Sequence, residues 1–460
     1  MAMRLSYLVH AALAVTAKAN HISARQSNGT NQTIVTSFKD VPTTQTIEWI
    51  PCFGNFTCTN LEVPLDYEDR SVGTTNVAFI KYDAPKQPAR GDILYNPGGP
   101  GDSAVGFFLR PDHFSKLPMV LGDEWNIIGM DPRGINNSGP HLDCFKGLPI
   151  ARDEFDRTHT DVDFLSPRSV EEYFVSTGGF GDWCSAQLSD DTNYANTPAI
   201  AGDMLHYFEL LAESQGLPRE DVEVNYYGVS YGSLLGDTFA QLYPDRVGKF
   251  ILDANVDGED YYWGSWNSSL RQSDDAVKAF FEYCFEAGPK CAFFANDTSA
   301  EAMQGRLDKM IADLEETPIP VTDPYFVQYP VVVTHLTLKT RVLGETYNWY
   351  NWPQYASDLA ELEKGNATMM AVATQMGLPI TLTLEEYSSI QPRILTACTD
   401  SHGRYNVSTL EQLQDLYAQN KAISKYFGAQ WTQVIVPQCR KLRFTPPEHQ
   451  TIKGKPILPL

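Results

Sequence analysis

The stretch NYYGVSYGSLLGDTF, residues 225–239, reads as the end of a strand, a sharp turn and the start of a helix, with Ser230 at the bend. Gly228-Val229-Ser230-Tyr231-Gly232 fits the pattern G-x-S-x-G. The chemistry accounts for the glycines. A chain that turns sharply from strand into helix brings its own backbone close, so flanking side chains would clash. The turn leaves the serine Oγ exposed above a helix N-terminus, where the helix dipole favours developing negative charge. Five residues are a weak signal: with Gly near 7% of residues, a chain of this length meets the pattern by chance roughly one time in seven. Context decides in its favour, because VEVNYY before it is strand-like and SLLGDTFAQL after it is helical.

The flanking chain alternates in the same way. Strands are expected at Thr75–Tyr82, Asp92–Asn96, Glu124–Met130, Val222–Tyr227 and Lys249–Ala254, several of them nearly continuous apolar runs. Between them NTPAIAGDMLHYFELLAESQG offers Thr197 as N-cap, Pro198 at the first helical position and Gly216 just past the end. Ile200, Met204, Phe208 and Leu211 recur on one helical face. Strands alternating with helices predict an α/β fold with a mostly parallel sheet. After about Glu259 the alternation gives way to a helical, aromatic-rich region lasting to about Ile390, read as an inserted cap.

A second element suits the serine. YNPGGPGDS (95–103) directly follows the strand at Asp92–Asn96. A glycine-rich loop lets bare N–H groups approach a reacting carbonyl, and prolines stiffen it. Donors aimed at a tetrahedral oxyanion are often the largest catalytic contribution. The expected pair is the N–H of Tyr231 with that of Gly99. A phosphate-binding turn is the alternative, but neither GxGxxG nor GxxxxGK[ST] occurs.

A third element is GMDPRGINNSGP (129–140). With its NPGGPG loop, D-P-R-G turn and G-x-S-Y-G elbow in that order, the chain resembles the secreted tripeptidyl- and prolyl-aminopeptidase-like branch of the α/β-hydrolases. Asn136 stands where that group usually has a second glycine, a tolerable change because Asn visits positive φ readily. LTACTDSHG (395–403) resembles the group's return from cap to sheet. The resemblance implies acyl transfer through Ser230, a peptide substrate with a free N-terminus, and acidic cap residues holding its ammonium, with Glu259, Asp260 and Glu345 as candidates. An esterase or lactonase acting on a small organic ester is the alternative enzyme. A non-catalytic secreted glycoprotein with a hydrolase-like pocket is the alternative outside catalysis. No cofactor or metal is expected, since no nucleotide, haem or metal-ligand signature occurs.

The base and acid are harder to find. In this fold the order is Ser, then Asp or Glu, then His. Only His335, His402 and His449 follow Ser230. His335 falls in the expected cap, His402 comes early and beside Asp400, and His449 sits in a proline-broken loop. Asp253 and Asp257 could supply an acid. The resemblance places a further strand and a Gly-His turn after a segment like IKGKPIL, so the expectation is a C-terminally shortened hydrolase lacking the Asp and His of its triad.

The N-terminus supports export. Arg4 precedes an apolar run from Leu5 to Val15, and Ala17-Lys18-Ala19 suits signal-peptide cleavage. A membrane anchor is the rival, but the run is short against a span of about 20 apolar residues. Eight cysteines fall in neighbouring pairs, Cys52 with Cys58, Cys144 with Cys184, Cys284 with Cys291 and Cys398 with Cys439; an even count in an exported chain favours disulfides. Eight N-x-[ST] sequons occur, at Asn28, Asn31, Asn55, Asn136, Asn267, Asn296, Asn366 and Asn406. Composition alone leads one to expect about three, and the excess favours a glycoprotein. The net charge of −22 argues against nucleic-acid or anionic-membrane partners. The expected organisation is a signal peptide at 1–19, a loosely ordered segment at 20–46, the hydrolase core at 47–259, the cap at 260–390 and an incomplete return to the core at 391–460.

Overall fold

The computed structural model describes residues 33–159, 162–375 and 387–452. The expected signal peptide, the sequons at Asn28 and Asn31 and the tail from residue 453 lie outside the described residues.

All five strands read from the sequence form, each with ends displaced by at most two residues. Three more precede them. The strands are β1 (Thr43–Thr44), β2 (Ile50–Cys52), β3 (Phe56–Pro64), β4 (Thr74–Tyr82), β5 (Asp92–Asn96), β6 (Asn126–Asp131), β7 (Val224–Val229) and β8 (Val247–Asp253). They make one sheet in the order β1-β3-β4-β6-β5-β7-β8, with β2 paired to β3. The half carrying β6, β5, β7 and β8 is parallel, and β3, β4 and β6 pair antiparallel. Strand β5 is buried along its whole length between β6 and β7, which explains why DILYN carries no alternation.

Both faces are covered. On one, Ile200, Met204 and Phe208 of the helix Thr197–Ser214 and Leu235 and Phe239 of the helix Tyr231–Leu242 pack with Leu94, Ile128 and Tyr226. On the other, Ile80, Ile93, Tyr95 and Tyr227 pack with Val105 and Phe108. The N-cap of the helix Thr197–Ser214 is Asn196, whose side chain accepts from the Ala199 N–H at 2.9 Å, and not Thr197 as expected. Thr197 is drawn inward by a different partner, described below. Residues 33–46 correct a second expectation. They are ordered against the sheet, with Phe38 and Val41 buried in the second core and β1 paired to β3.

The helical layer draws on more of the chain than the expected insertion. The helices Ser273–Ala287, Ala300–Glu316, His335–Tyr347 and Trp352–Glu363 share a core of their own, with a small hairpin of β9 (Ile319–Val321) and β10 (Val331–Val333). A second excursion, containing the helices Pro149–His159 and Pro167–Gln187, leaves the chain between β6 and β7. Its Val170 and Tyr173 pack against Val407, Leu413, Leu416 and Val436 of the returning segment. The cysteines join in sequential order: Cys52–Cys58, Cys144–Cys184, Cys284–Cys291 and Cys398–Cys439. No helix among the described residues is long and apolar enough to cross a membrane.

Candidate active site

Strands β5, β6, β7 and β8 run in one direction, so the loops after them leave the same edge of the sheet. The register aligns Asn96 with Gly228 and Val229 with Asp253. The NPGGPG loop, the turn carrying Ser230 and the turn after β8 are therefore side by side.

Ser230 has φ 58° and ψ −122°, a conformation costly for a residue with a Cβ. Three backbone bonds hold it there. Its N–H donates to the Asp253 carbonyl at 2.9 Å, and its carbonyl accepts from the Ser233 N–H at 2.8 Å and the Ser233 hydroxyl at 2.6 Å. The same Ser233 hydroxyl accepts from the Val256 N–H at 3.0 Å, tying the elbow to the turn after β8. A side chain at Gly228 would press on the Gly232 carbonyl, and one at Gly232 would lie 2.8 Å from the Asn96 carbonyl. Both glycines of the pattern are required by close approach. Ser230 itself is half-buried and reachable from solvent.

The glycine loop meets the serine through Gly98. A Cβ there would fall 2.6 Å from the Val229 carbonyl and 2.9 Å from the Ser230 Cβ. Its N–H is already taken, donating to Asn96 Oδ1 at 2.9 Å. Among the described residues the N–H groups of Gly99 and Tyr231 meet no acceptor within the chain. These are the two named from the sequence as oxyanion donors, and Gly98 is what seats their loop. Behind the loop, the Tyr387 hydroxyl donates to the Gly101 carbonyl, and the returning helix Ile390–Ser401 packs so closely that a Cβ on Gly101 would lie 2.9 Å from the Arg393 nitrogen.

The D-P-R-G turn supports this loop. Asp131 is fully buried, accepts from the Ser103 hydroxyl at 2.7 Å, the Val105 N–H at 3.0 Å and the Asn137 amide at 2.9 Å, and has its carboxyl raised by burial against the pull of those bonds. Asn136, at φ 48°, donates to Ser103 at 3.0 Å, and the sequon hydroxyl of Ser138 is buried, donating to the Asp131 carbonyl. The Asn136 amide thus has a structural bond in the folded site. The sequon asparagines Asn55, Asn296, Asn366 and Asn406 are exposed, and Asn267 is half-buried.

None of the candidate bases reaches the serine. His335 is buried in the helical layer, 3.7 Å from Asp163. His402 closes the helix Ile390–Ser401 in the left-handed conformation, with Nδ1 3.2 Å from the Asp400 carbonyl. His449 Nε2 lies 2.9 Å from Asp66, just past the end of β3. Strands β3 and β7 are separated by β4, β6 and β5, which at about 4.8 Å per strand sets their axes roughly 19 Å apart. Among the described residues no histidine is hydrogen-bonded to Ser230.

The acids sort clearly. Asp257 is spent as an N-cap, accepting from the Asp260 N–H at 3.1 Å. Asp253 remains exposed beside the elbow, accepting from the Tyr227 hydroxyl at 3.1 Å. Asp260, expected to hold an ammonium, is buried and occupied by the Ser265 and Ser268 hydroxyls and the Ser268 N–H. Glu345 is buried in the helical layer, 3.0 Å from Arg341. Of the three, only Glu259 is exposed.

One acid, read from the sequence only as the neighbour of His402, takes other partners. Asp400 is buried and accepts from the Thr197 N–H at 2.8 Å, the Thr197 hydroxyl at 2.6 Å and the Tyr261 hydroxyl at 2.8 Å. Burial pushes its carboxyl up to about 6, with the Thr197 and Tyr261 bonds and Arg404 pulling the other way. A carboxyl raised above its unfolded value binds its proton more tightly when folded. Its stability contribution is therefore a penalty above pH 6 that is relieved as pH falls from 6 towards 4. The stability of wild type relative to Asp400→Asn is expected to rise over that window, by at most about 1.4 kcal/mol per pH unit. Urea melts of both proteins from pH 4 to 8 check this. A difference independent of pH would refute it.

Residues 93–335 match the family model described as the alpha/beta hydrolase fold. The chain belongs to that family. The chain is 26% identical over 387 residues to the serine protease Hip1 of Mycobacterium tuberculosis, covering 79% of this chain and 65% of Hip1. It is 25% identical over 293 residues to a tripeptidyl aminopeptidase of Streptomyces lividans, covering 59% of this chain and 50% of that protein. The chain therefore spans less than two thirds of the length of these relatives. A solved structure of a putative alpha/beta hydrolase from Nostoc shares 12% identity over 70% of this chain and 76% of that one, with a TM-score of 0.24.

Proposed function

We propose that the chain is a serine hydrolase of peptidase type, with Ser230 as nucleophile and the N–H groups of Gly99 and Tyr231 as oxyanion donors. The observation that carries this is the strained serine between β7 and its helix, with Gly98 of the loop seated against it. The Ser230 Oγ attacks a carbonyl, the tetrahedral oxygen rests on the two N–H groups, the leaving group departs, and water releases the acyl-enzyme. The likeness to Hip1 and to a tripeptidyl aminopeptidase supports a peptide substrate, cleaved to release a short peptide or a terminal residue. Four disulfides and the exposed sequons support an exported glycoprotein.

Among the described residues no histidine is hydrogen-bonded to Ser230, so its activation by those residues alone is expected to be slow. A small base from solution can reach the half-exposed hydroxyl and take over that role. In a fluorophosphonate solution, intact mass is expected to show one adduct on Ser230, forming faster as imidazole is added and absent in Ser230→Ala. A folded wild type that gains no more adduct than Ser230→Ala would refute the nucleophile. Under the same conditions tripeptide anilides are expected to turn over in preference to p-nitrophenyl esters. Turnover of esters alone would favour the esterase reading.

A further inference from the structure

We infer that Asp400 is a positioning residue for the oxyanion donor Tyr231, acting through Thr197. The inference rests on the reading of Ser230 as nucleophile. Tyr231 is the first residue of the helix after the elbow, and its ring is buried. The Tyr231 and Thr197 hydroxyl oxygens are 2.6 Å apart, and Thr197 Oγ1 is also 2.6 Å from Asp400 Oδ2. A carboxylate can only accept, and Thr197 has one hydroxyl proton. That proton goes to Asp400, so the Tyr231 hydroxyl donates to Thr197. The order of donation is fixed from the carboxylate outward.

The chain of bonds joins three distant pieces of sequence at the elbow. Asp400 lies on the returning helix Ile390–Ser401, held by the Cys398–Cys439 disulfide and by Arg404, which donates to the Asp400 carbonyl at 3.0 Å. Thr197 opens the helix Thr197–Ser214 and offers both its N–H and its hydroxyl. Tyr261, from the first helix after β8, supplies the remaining bond to Oδ2. The Tyr231 N–H belongs to the first turn of the helix Tyr231–Leu242, so a shift of that turn carries the Tyr231 Cα, ring and N–H together. A ring pinned at its hydroxyl holds that turn, and the N–H with it, in place. Cutting the chain leaves that hydroxyl unpartnered in a buried setting, a cost the ring relieves only by moving.

Thr197→Val tests this with little change of shape and leaves the Asn196 cap intact. Asp400→Asn and the double variant complete a cycle. The readouts are the rate of Ser230 phosphonylation in imidazole and deuterium exchange of the peptide spanning 225–239. Each single variant is expected to react about tenfold more slowly, short of the ~10²–10³ that follows loss of a donor. Exchange should quicken at the elbow while the rest of the sheet is unchanged. The double variant should be no slower than the slower single, because all three act on one connection. Thr197→Val reacting at the wild-type rate would overturn the inference, whatever happens to Asp400→Asn. A folded wild type no more reactive than Ser230→Ala would overturn the nucleophile itself, and the positioning role with it.

Discussion

Gly98→Ala is expected to lower the reactivity of Ser230 at least a hundredfold while leaving the protein folded. Two independent obstacles meet at this position. Gly98 has φ +111°, where an L side chain is strained, and an added Cβ would fall 2.6 Å from the Val229 carbonyl and 2.9 Å from the Ser230 Cβ. Neither neighbour can move cheaply. Val229 ends a strand paired on both sides, and Ser230 is held by bonds at its nitrogen and its carbonyl. The loop must lift, and Gly99 rises with it. Losing one oxyanion donor costs about 10²–10³ in rate, which sets the expected size. Gly216→Ala makes the control: it also sits at positive φ, +71°, but no atom lies within 4 Å of its added Cβ. It should cost about 1 kcal/mol of stability and nothing in reactivity. Phosphonylation rates in imidazole, read beside thermal melts, separate the two. Full reactivity in Gly98→Ala would mean that the loop does not serve the serine.

The largest loss of stability is expected from Arg133→Met. Arg133 is completely buried. Its Nε donates to Asp203 Oδ2 at 2.6 Å and its Nη2 to Asp203 Oδ1 at 2.7 Å, while Nη1 and Nη2 donate to the carbonyls of Leu65 and Pro64. The Tyr67 hydroxyl adds a bond to Asp203 at 2.7 Å. Methionine fills much of the volume but leaves the buried Asp203 carboxylate with the Tyr67 hydroxyl and no counter-charge, and takes the arginine donors from two carbonyls. Breaking a buried pair in this way costs about 3–5 kcal/mol. Removing both charges should cost far less, so Arg133→Met with Asp203→Leu is expected to recover much of the loss. Shifts in the guanidinium midpoint of the two variants measure this. A single variant as stable as wild type would show that the pair contributes no net stability. The arginine of the D-P-R-G turn is thus a brace between β3, β6 and the helix Thr197–Ser214, set behind the site.

Much of the sheet was legible because central parallel strands are buried on both faces and read as unbroken apolar runs, DILYN being the clearest. Strand β3 was not. Its sequence FTCTNLEVP mixes Thr and Asn with apolar residues, yet Thr59 and Asn60 are buried. Asn60 is satisfied by Thr43 and Asn76, partners from other strands that no local pattern could supply. The excursion through Pro167–Gln187 was missed for a related reason: the surface it buries lies on the returning segment, more than two hundred residues away. At the candidate site the serine, its flanking glycines and the loop after β5 were legible as local patterns, and the fold sets them side by side. Asp400 was noticed only as a neighbour of His402, because sequence adjacency suggested a pair that helix geometry does not make.

By itself the sequence determined the α/β alternation, the elbow and the glycine loop. Each depends on backbone constraints written into a few consecutive residues: a strand that must turn into a helix, and glycines where a Cβ has no room. Tertiary structure alone decided the partners. It gave Asp400 to Thr197 and Tyr261, His449 to Asp66, Arg133 to Asp203, and left the Gly99 and Tyr231 N–H groups without an acceptor among the described residues. A buried polar group takes whichever donor or acceptor the packing brings within about 3 Å, and packing joins segments whose separation along the chain carries no local signal.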